Sequence, residues 1–308
     1  MRNYIIKRLL LTLPVLLGVS LLVFFFIHMI PGDPVEVMLG ESAAPTDREA
    51  LRKQYHLDEP LQVQLVYFFK ELGTGKLESI FYHQPALQKV RERLMATLEL
   101  ALAGLAVAVV IAIPLGILAA WRRDTWLDHS AMGFSLLGIS IPNFWLGPML
   151  ILVFSLKLGL LPVSGKGGIS HLVLPAITLG TALAALLSRM TRASLLEVLG
   201  EDFLTAARAR GLSERMVILK HAFKNALIPV ITVLGLQFGA LLSGAIITET
   251  IFAWPGIGRL LIDSIYTRDF PLVQACVLAI ALSYVLVNLV TDLFYALVDP
   301  RVRYEEGS

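Results

Sequence analysis

Charge and cysteine are both scarce in this chain. Only 16% of its 308 residues are Asp, Glu, Lys or Arg, against 56% that are hydrophobic. A soluble globular domain carries about 25% charged and about 45–50% apolar residues, so the composition excludes an ordinary water-soluble fold and places the chain in the membrane class. The single cysteine, Cys276, sits in an apolar run. It has no partner for a disulfide within the chain, and packing must hold the fold. Catalytic machinery is missing too. There is no HExxH, no G-x-S-x-G and no Cys/His cluster, which removes the usual equipment of a membrane hydrolase or a metal site. The closest approach to a phosphate loop is GLLPVSGKGG at 159–168. Five residues separate Gly159 from Gly165, and Gly167 occupies the place of the metal-facing hydroxyl, whereas a P-loop has a four-residue gap and Ser or Thr there. This stretch reads as a turn, so the chain is expected to bind no ATP and no other cofactor with its own residues. The net charge of +2 makes no case for nucleic acid.

Long apolar runs are what the chain does have. Six are read as spans: Leu9–Ile30, Ala96–Ala120, Ala131–Leu156, Leu172–Leu187, Ala226–Ile247 and Leu272–Val298. A bilayer core about 30 Å thick asks for roughly 17–25 residues per helix, and the fourth run is the shortest. The expected fold is all-α, a polytopic bundle of six transmembrane helices. Arg2, Lys7 and Arg8 precede the first run, whose 22-residue core is too long for a signal peptide and lacks a small-x-small cleavage motif. Pro31-Gly32-Asp33-Pro34 is expected to stop it as a retained span.

Six spans put both termini on one side. With that side cytoplasmic, 14 Lys and Arg fall on it and 12 on the other, 8 of the latter in the long 31–93 segment. Short loops dominate the positive-inside rule, so both ends are expected in the cytoplasm, although Lys89, Arg91 and Arg93 run against the trend. The expected parts are an N-terminal helix over 1–30, an outer segment over 31–93, a five-helix core over 94–298 containing an inner loop at 190–225, and a tail over 299–308. The outer segment reads as a small ordered cap with a helix near Asp47–Tyr55, because Leu61, Val66, Tyr67, Phe68 and Phe69 recur too densely for disorder.

Few ionisable groups lie in the spans. Glu99, near the outer end of the second, and Asp292, in the sixth, read as packing or pathway residues, too few and too far apart for an ion relay. His28 and His171, at span ends, read as interfacial. Pro114, Pro142 and Pro148 would permit kinks, and Gly235, Gly239, Ser243 and Gly244 close helix approach.

The unusual stretch is TAARARGLSERMVILKHAFKNALIP at 205–229, basic and helical between two oily runs. Gly200 breaks the fourth helix, and Glu201 and Asp202 suit a new helix start. Phe203, Leu204, Ala206 and Ala207 form an apolar patch, Arg208 and Arg210 fill the last turn, and Gly211 ends it. Ser213 can cap a second short helix with Met216, Leu219, Phe223 and Leu227 at helical spacing, before Pro229 leads into the fifth span. Physical chemistry alone leaves two readings: an amphipathic elbow on the lipid surface, or a docking helix for a cytoplasmic partner.

The A-A-x-x-x-G pattern of Ala206, Ala207 and Gly211 resembles the EAA loop of binding-protein-dependent ABC importer permeases, with Thr205 at the position of the usual Glu. KHAFKNALIPV, with His221, Asn225 and Pro229, resembles the dipeptide, oligopeptide, nickel and glutathione branch. So do ATLELA at 96–101, SIPNFWLG at 140–147, TETIFAWPGIGRLL at 248–261 and RDFPLVQ at 268–274. The resemblance implies a type I importer permease fold in a bacterial inner membrane, with no enzymatic activity of its own. It implies as partners a second related permease, two ATPases that carry ATP and Mg, and an extracytoplasmic solute-binding protein. Phe203, Thr205, Ala206, Ala207, Arg208, Arg210 and Gly211 would couple to the ATPase. Trp254, Pro255 and Gly256 would face the binding protein. Peptides are the expected cargo, with nickel chelates or glutathione as the alternative.

Overall fold

The computed structural model describes residues 2–29, 34–39 and 44–298. Pro31, Gly32 and Asp33, expected to stop the first helix, and the tail 299–308 lie outside them. Among the described residues the regular structure is helical, apart from one isolated bridge between Glu78 and Pro85. The helices run α1 (Arg2–Met29), α2 (Pro34–Leu39), α3 (Pro45–Gln54), α4 (Leu61–Thr74), α5 (Ala86–Trp121), α6 (Trp126–Ser140) and α7 (Asn143–Leu150). They continue with α8 (Ile169–Leu199), α9 (Asp202–Ala209), α10 (Glu214–Met216), α11 (Phe223–Ile251), α12 (Ile257–Tyr266) and α13 (Phe270–Val298).

Among the described residues, five helices are long and apolar enough to cross a membrane, or six if one bent pair is counted as a span. That pair corrects the expected continuous third span. Trp126–Ser140 and Asn143–Lys157 meet at 101°. The cause is local: Ile141 and Pro142 are both extended (ψ 116° and 141°), as expected where a proline ring excludes the helical conformation from its predecessor. Pro142 therefore breaks the helix, while Pro114 and Pro148 stay inside theirs. The fourth span is also longer than its apolar run, since α8 continues to Leu199.

The chain divides into two compact units, Met1–Thr97 with Pro255–Val285, and Leu98–Trp254 with Leu286–Ser308. In the first, the expected helix near Asp47–Tyr55 is α3. His28 packs at the end of α1: its ring lies 4.3 Å from Phe24, and its Nε2 sits 3.0 Å from Gln64 Oε1. The tightest polar feature of this unit is buried Asp269. Its carboxylate accepts from Ser79 Oγ, from the backbone N–H groups of Ile80 and Phe81 (3.2 and 3.1 Å), and from Leu272 N at 3.2 Å in the first turn of α13. One side chain thus ties the 79–81 turn to a helix start, where negative charge is favoured.

The second unit is organised around α8. A Cβ at Gly180 would lie 2.5 Å from the Gly104 carbonyl oxygen, and one at Gly116 would lie 2.5 Å from Thr191 Cβ, so α5 and α8 meet backbone to backbone at two levels. Gly235 makes a similar close approach to Thr291. Between α6 and α8, Ser135 and Ser188 share a hydrogen bond of 2.6 Å, and Arg192 grips buried Asp128 through two contacts of 2.6 Å.

Asp269→Ala should cost roughly 3–5 kcal/mol, because three backbone donors lose a charged acceptor at once. Thermal unfolding in detergent and protease cleavage between 77 and 85 check this. A second test uses Glu71, which lines a cavity of about 140 Å³ with His28, Tyr55 and His56. Burial pushes its carboxyl above the usual 4.5, His56 and Lys70 oppose this, and Glu78 adds to it. A raised folded-state pKa gives stability that is complete at low pH and lost as pH rises through it. Glu71→Gln should therefore gain thermal stability relative to the unmodified chain between acidic and neutral pH, and the two should converge in acid.

Candidate functional site

The site expected at 190–225 begins where α8 stops. Gly200 has an ordinary φ of −83°, and Glu201 is extended (φ −78°, ψ 142°) at the N-cap position of α9 without a side-chain capping bond. Asp202 follows in the first turn, where its charge favours the helix start. At the other end Gly211 has φ +78°, the left-handed conformation in which glycine closes a helix.

α9 has two unlike faces. Leu204 and Ala207, three residues apart, point inward, and Leu204 is completely buried. They join a cluster with Ala120 of α5, Leu195 of α8, and Val217, Ile218, Ala222 and Ala226. Phe203, Thr205, Ala206 and Arg210 are exposed, Phe203 by 44%. The expectation of a single patch from Phe203, Leu204, Ala206 and Ala207 is therefore corrected. A helix turns about 100° per residue, which sends the two members of each adjacent pair to different faces. Ala207 belongs to the core and is not available to a partner.

The second short helix is corrected as well. Ser213 is extended at the N-cap position but makes no side-chain cap. The helix that follows is not separate. α10 runs through a π-helical turn at Val217–Ala222 into α11, with Pro229 inside. Its buried stripe is Val217, Ile218, Ala222 and Ala226, while Met216 and Leu219 are 44% and 51% exposed. Apolar residues occupy both stripes at helical spacing, and packing selects the one whose alanines let neighbours approach.

Arg208 spans the Gly211 turn. Its Nε and Nη2 donate to the two carboxylate oxygens of Glu214 at 3.2 and 3.0 Å. That bond holds the guanidinium proton more tightly than usual. Arg208 is itself exposed, and its fork is also engaged within the chain.

Trp254 is only 1% exposed and Gly256 is also buried, with Pro255 intermediate. The expectation that this trio faces a partner fails for Trp254, whose side chain fills the interior. Glu99 does not stand alone in a span. Its carboxylate lies 2.5 Å from Lys166 Nζ, which also sits 5.4 Å from the centre of the Trp254 ring, within cation–π range. Gly165 N donates to Phe252 O at 2.8 Å. The GKGG stretch is the expected turn, pinned to α5 and to the end of α11. Asp292 lies in α13, and its side chain is outside the described residues.

Two pairs escaped the sequence reading: Lys166 with Glu99, and Asp128 with Arg192. Both join residues far apart in the chain, 67 and 64 positions respectively, and no local spacing announces them. Among the described residues, no group of three or more His, Cys, Asp or Glu is arranged to hold a metal ion.

Residues 112–304 match the family described as binding-protein-dependent transport system inner membrane component, and residues 1–99 match the N-terminal part of such membrane components. The glutathione transport system permease proteins GsiC of Escherichia coli (strain UTI89) and Shigella dysenteriae serotype 1 are each 45% identical over 306 residues, 99% of this chain and 100% of theirs. Among solved structures, an inward-facing MetNI methionine ABC transporter superposes with a TM-score of 0.58 at 18% identity, over 70% of this chain and 98% of that one. An amino acid ABC transporter gives a TM-score of 0.52 at 18% identity, over 70% and 94%. At such identities these two establish the fold, that of type I ABC permeases. The chain belongs to the binding-protein-dependent inner membrane component family: it is a multi-pass permease subunit of an ABC importer, served by a solute-binding protein and driven by an ATPase that is a separate subunit.

Proposed function

We propose that this permease conducts short peptides, glutathione among them, and that α9 receives the ATPase stroke. The cargo reading is supported by the relatives named as glutathione permeases, since glutathione is itself a tripeptide, and by peptide-type motifs along the whole chain. The observation that carries the coupling role is the division of α9 into a buried Leu204–Ala207 face and an exposed Phe203–Ala206 face. A helix of 8 residues is too short to be stable alone in water. It keeps its shape because its inner face is part of the core shared with α5, α8 and α11. A push on the outer face is therefore delivered to those helices.

In this reading Phe203, Thr205, Ala206 and Arg210 touch the ATPase, while Ala207, Arg208 and Gly211 shape the helix that presents them. A second related permease and two ATPases complete the importer, with ATP and Mg held by the ATPases and no cofactor on this chain. Both termini and α9 face the cytoplasm, and the segment 31–93 faces outward. The ATPase must bind α9 differently in its open and closed states, since only differential affinity can move a conformational equilibrium.

Ala206→Glu and Phe203→Asp should each lower ATPase co-purification and cargo uptake at least about tenfold, the loss expected for one well-packed contact, with insertion unchanged. ATPase recovered at normal levels with both variants would refute the docking role. Leu204→Ala should cost about 2–5 kcal/mol and speed hydrogen exchange across α9. Arg208→Ala should cost under about 1 kcal/mol, as for an exposed ion pair.

A further inference from the structure

Beside the break at Pro142 lies a cavity of about 320 Å³ bounded by α6, α7, α8 and α11. Its walls are aliphatic, with Ile139, Leu179, Leu183 and Leu241, and two amide side chains face it, Asn143 and Gln237. Asn143 begins α7 directly after the break, and Gln237 lies midway along α11.

These amides differ from the other polar groups around them. The hydroxyls of the same helices are satisfied at home. Ser140 donates to Leu136 O at 2.9 Å, Thr178 to Leu174 O at 2.8 Å, Thr181 to Ile177 O at 2.6 Å and Thr232 to Ile228 O at 3.0 Å. Among the described residues, neither Asn143 nor Gln237 makes a side-chain hydrogen bond. Both are half-buried. A polar amide left without a partner in hydrocarbon is strongly disfavoured, so at membrane depth this pair suits a cavity that holds something polar, water or cargo.

We propose that Asn143 and Gln237 form a station for the peptide backbone of the cargo during translocation. The inference rests on the peptide reading above. A carboxamide offers both donors and acceptors, the complement of a peptide bond, and carries no charge that would trap a charged terminus. The aliphatic walls accept varied side chains without directional demands. The volume is at the lower end of small-molecule sites, about 300–1,000 Å³, and suits one or two residues at a time.

The test uses the complete importer in proteoliposomes, with its ATPase and binding protein, and two labelled probes, alanyl-alanine and glutathione. Movement of neither probe by the unmodified importer would overturn the peptide reading itself. Given uptake, Asn143→Leu and Gln237→Met should each lower its turnover about tenfold, the value of one hydrogen bond, with ATPase co-purification retained, and Asn143→Ser should recover part of the loss. Undiminished uptake by both apolar variants would overturn the station. A second measurement holds if either variant accumulates poorly. Cys276 is fully buried, so Asn143→Cys and Gln237→Cys provide clean targets for a membrane-impermeant thiol reagent. Labelling that either probe slows supports the station. Failure to label overturns it and would place the amides against a neighbouring subunit; labelling that neither probe slows overturns it too, since the positions are then open but off the cargo path.

Discussion

A hydrocarbon solvent gives helices no hydrophobic reason to associate, because lipid tails are as apolar as leucine. Everything in the second unit follows from how the chain meets that constraint. It brings backbones together at Gly104–Gly180 and Gly116–Thr191, where dispersion contacts are dense. It adds a few polar clamps, Ser135 to Ser188 and Arg192 to Asp128. A buried ion pair is weak evidence of stability, since desolvation offsets much of its attraction, but it punishes separation of its partners. α6 and α8 are thereby held to one alignment.

The same logic explains α9. α9 is too short and too polar to span a membrane, and its Leu204 is buried against Leu195, Val217 and Ile218. The helix is held by the kind of apolar burial that a soluble protein uses, at the end of a bundle that is held otherwise. Its outer face is left with Phe203 and Ala206, an aromatic beside a small residue.

Much of this was legible in the residues. Apolar runs located the spans, the acidic start and Gly211 bounded α9, and the Ala206-Ala207 pattern with its flanking motifs identified the family. The remainder depended on information that is not local. Nothing in the spacing of Phe203, Leu204, Ala206 and Ala207 says which pair turns inward, because that depends on Ala120 and Ala222 arriving from elsewhere. Met216 and Leu219 were indistinguishable from Ile218 and Ala222 by period alone. Pro142 was visible as a disturbance, but whether a proline kinks a helix or breaks it is decided by how the neighbouring helices satisfy the freed backbone groups. Trp254 looked like a surface residue because it sits in a loop motif, yet its ring packs inside beneath Lys166.

The elbow at α9 carries both kinds of attachment, an aliphatic core under α9 and the half-exposed Arg208–Glu214 pair across the turn. Exposed charge pairs are screened as salt rises, with a Debye length of about 8 Å at physiological ionic strength, whereas buried aliphatic contacts are not. The fastening that matters is the one ions cannot reach. The angle at which α9 is presented is therefore insulated from swings in the ionic strength around it.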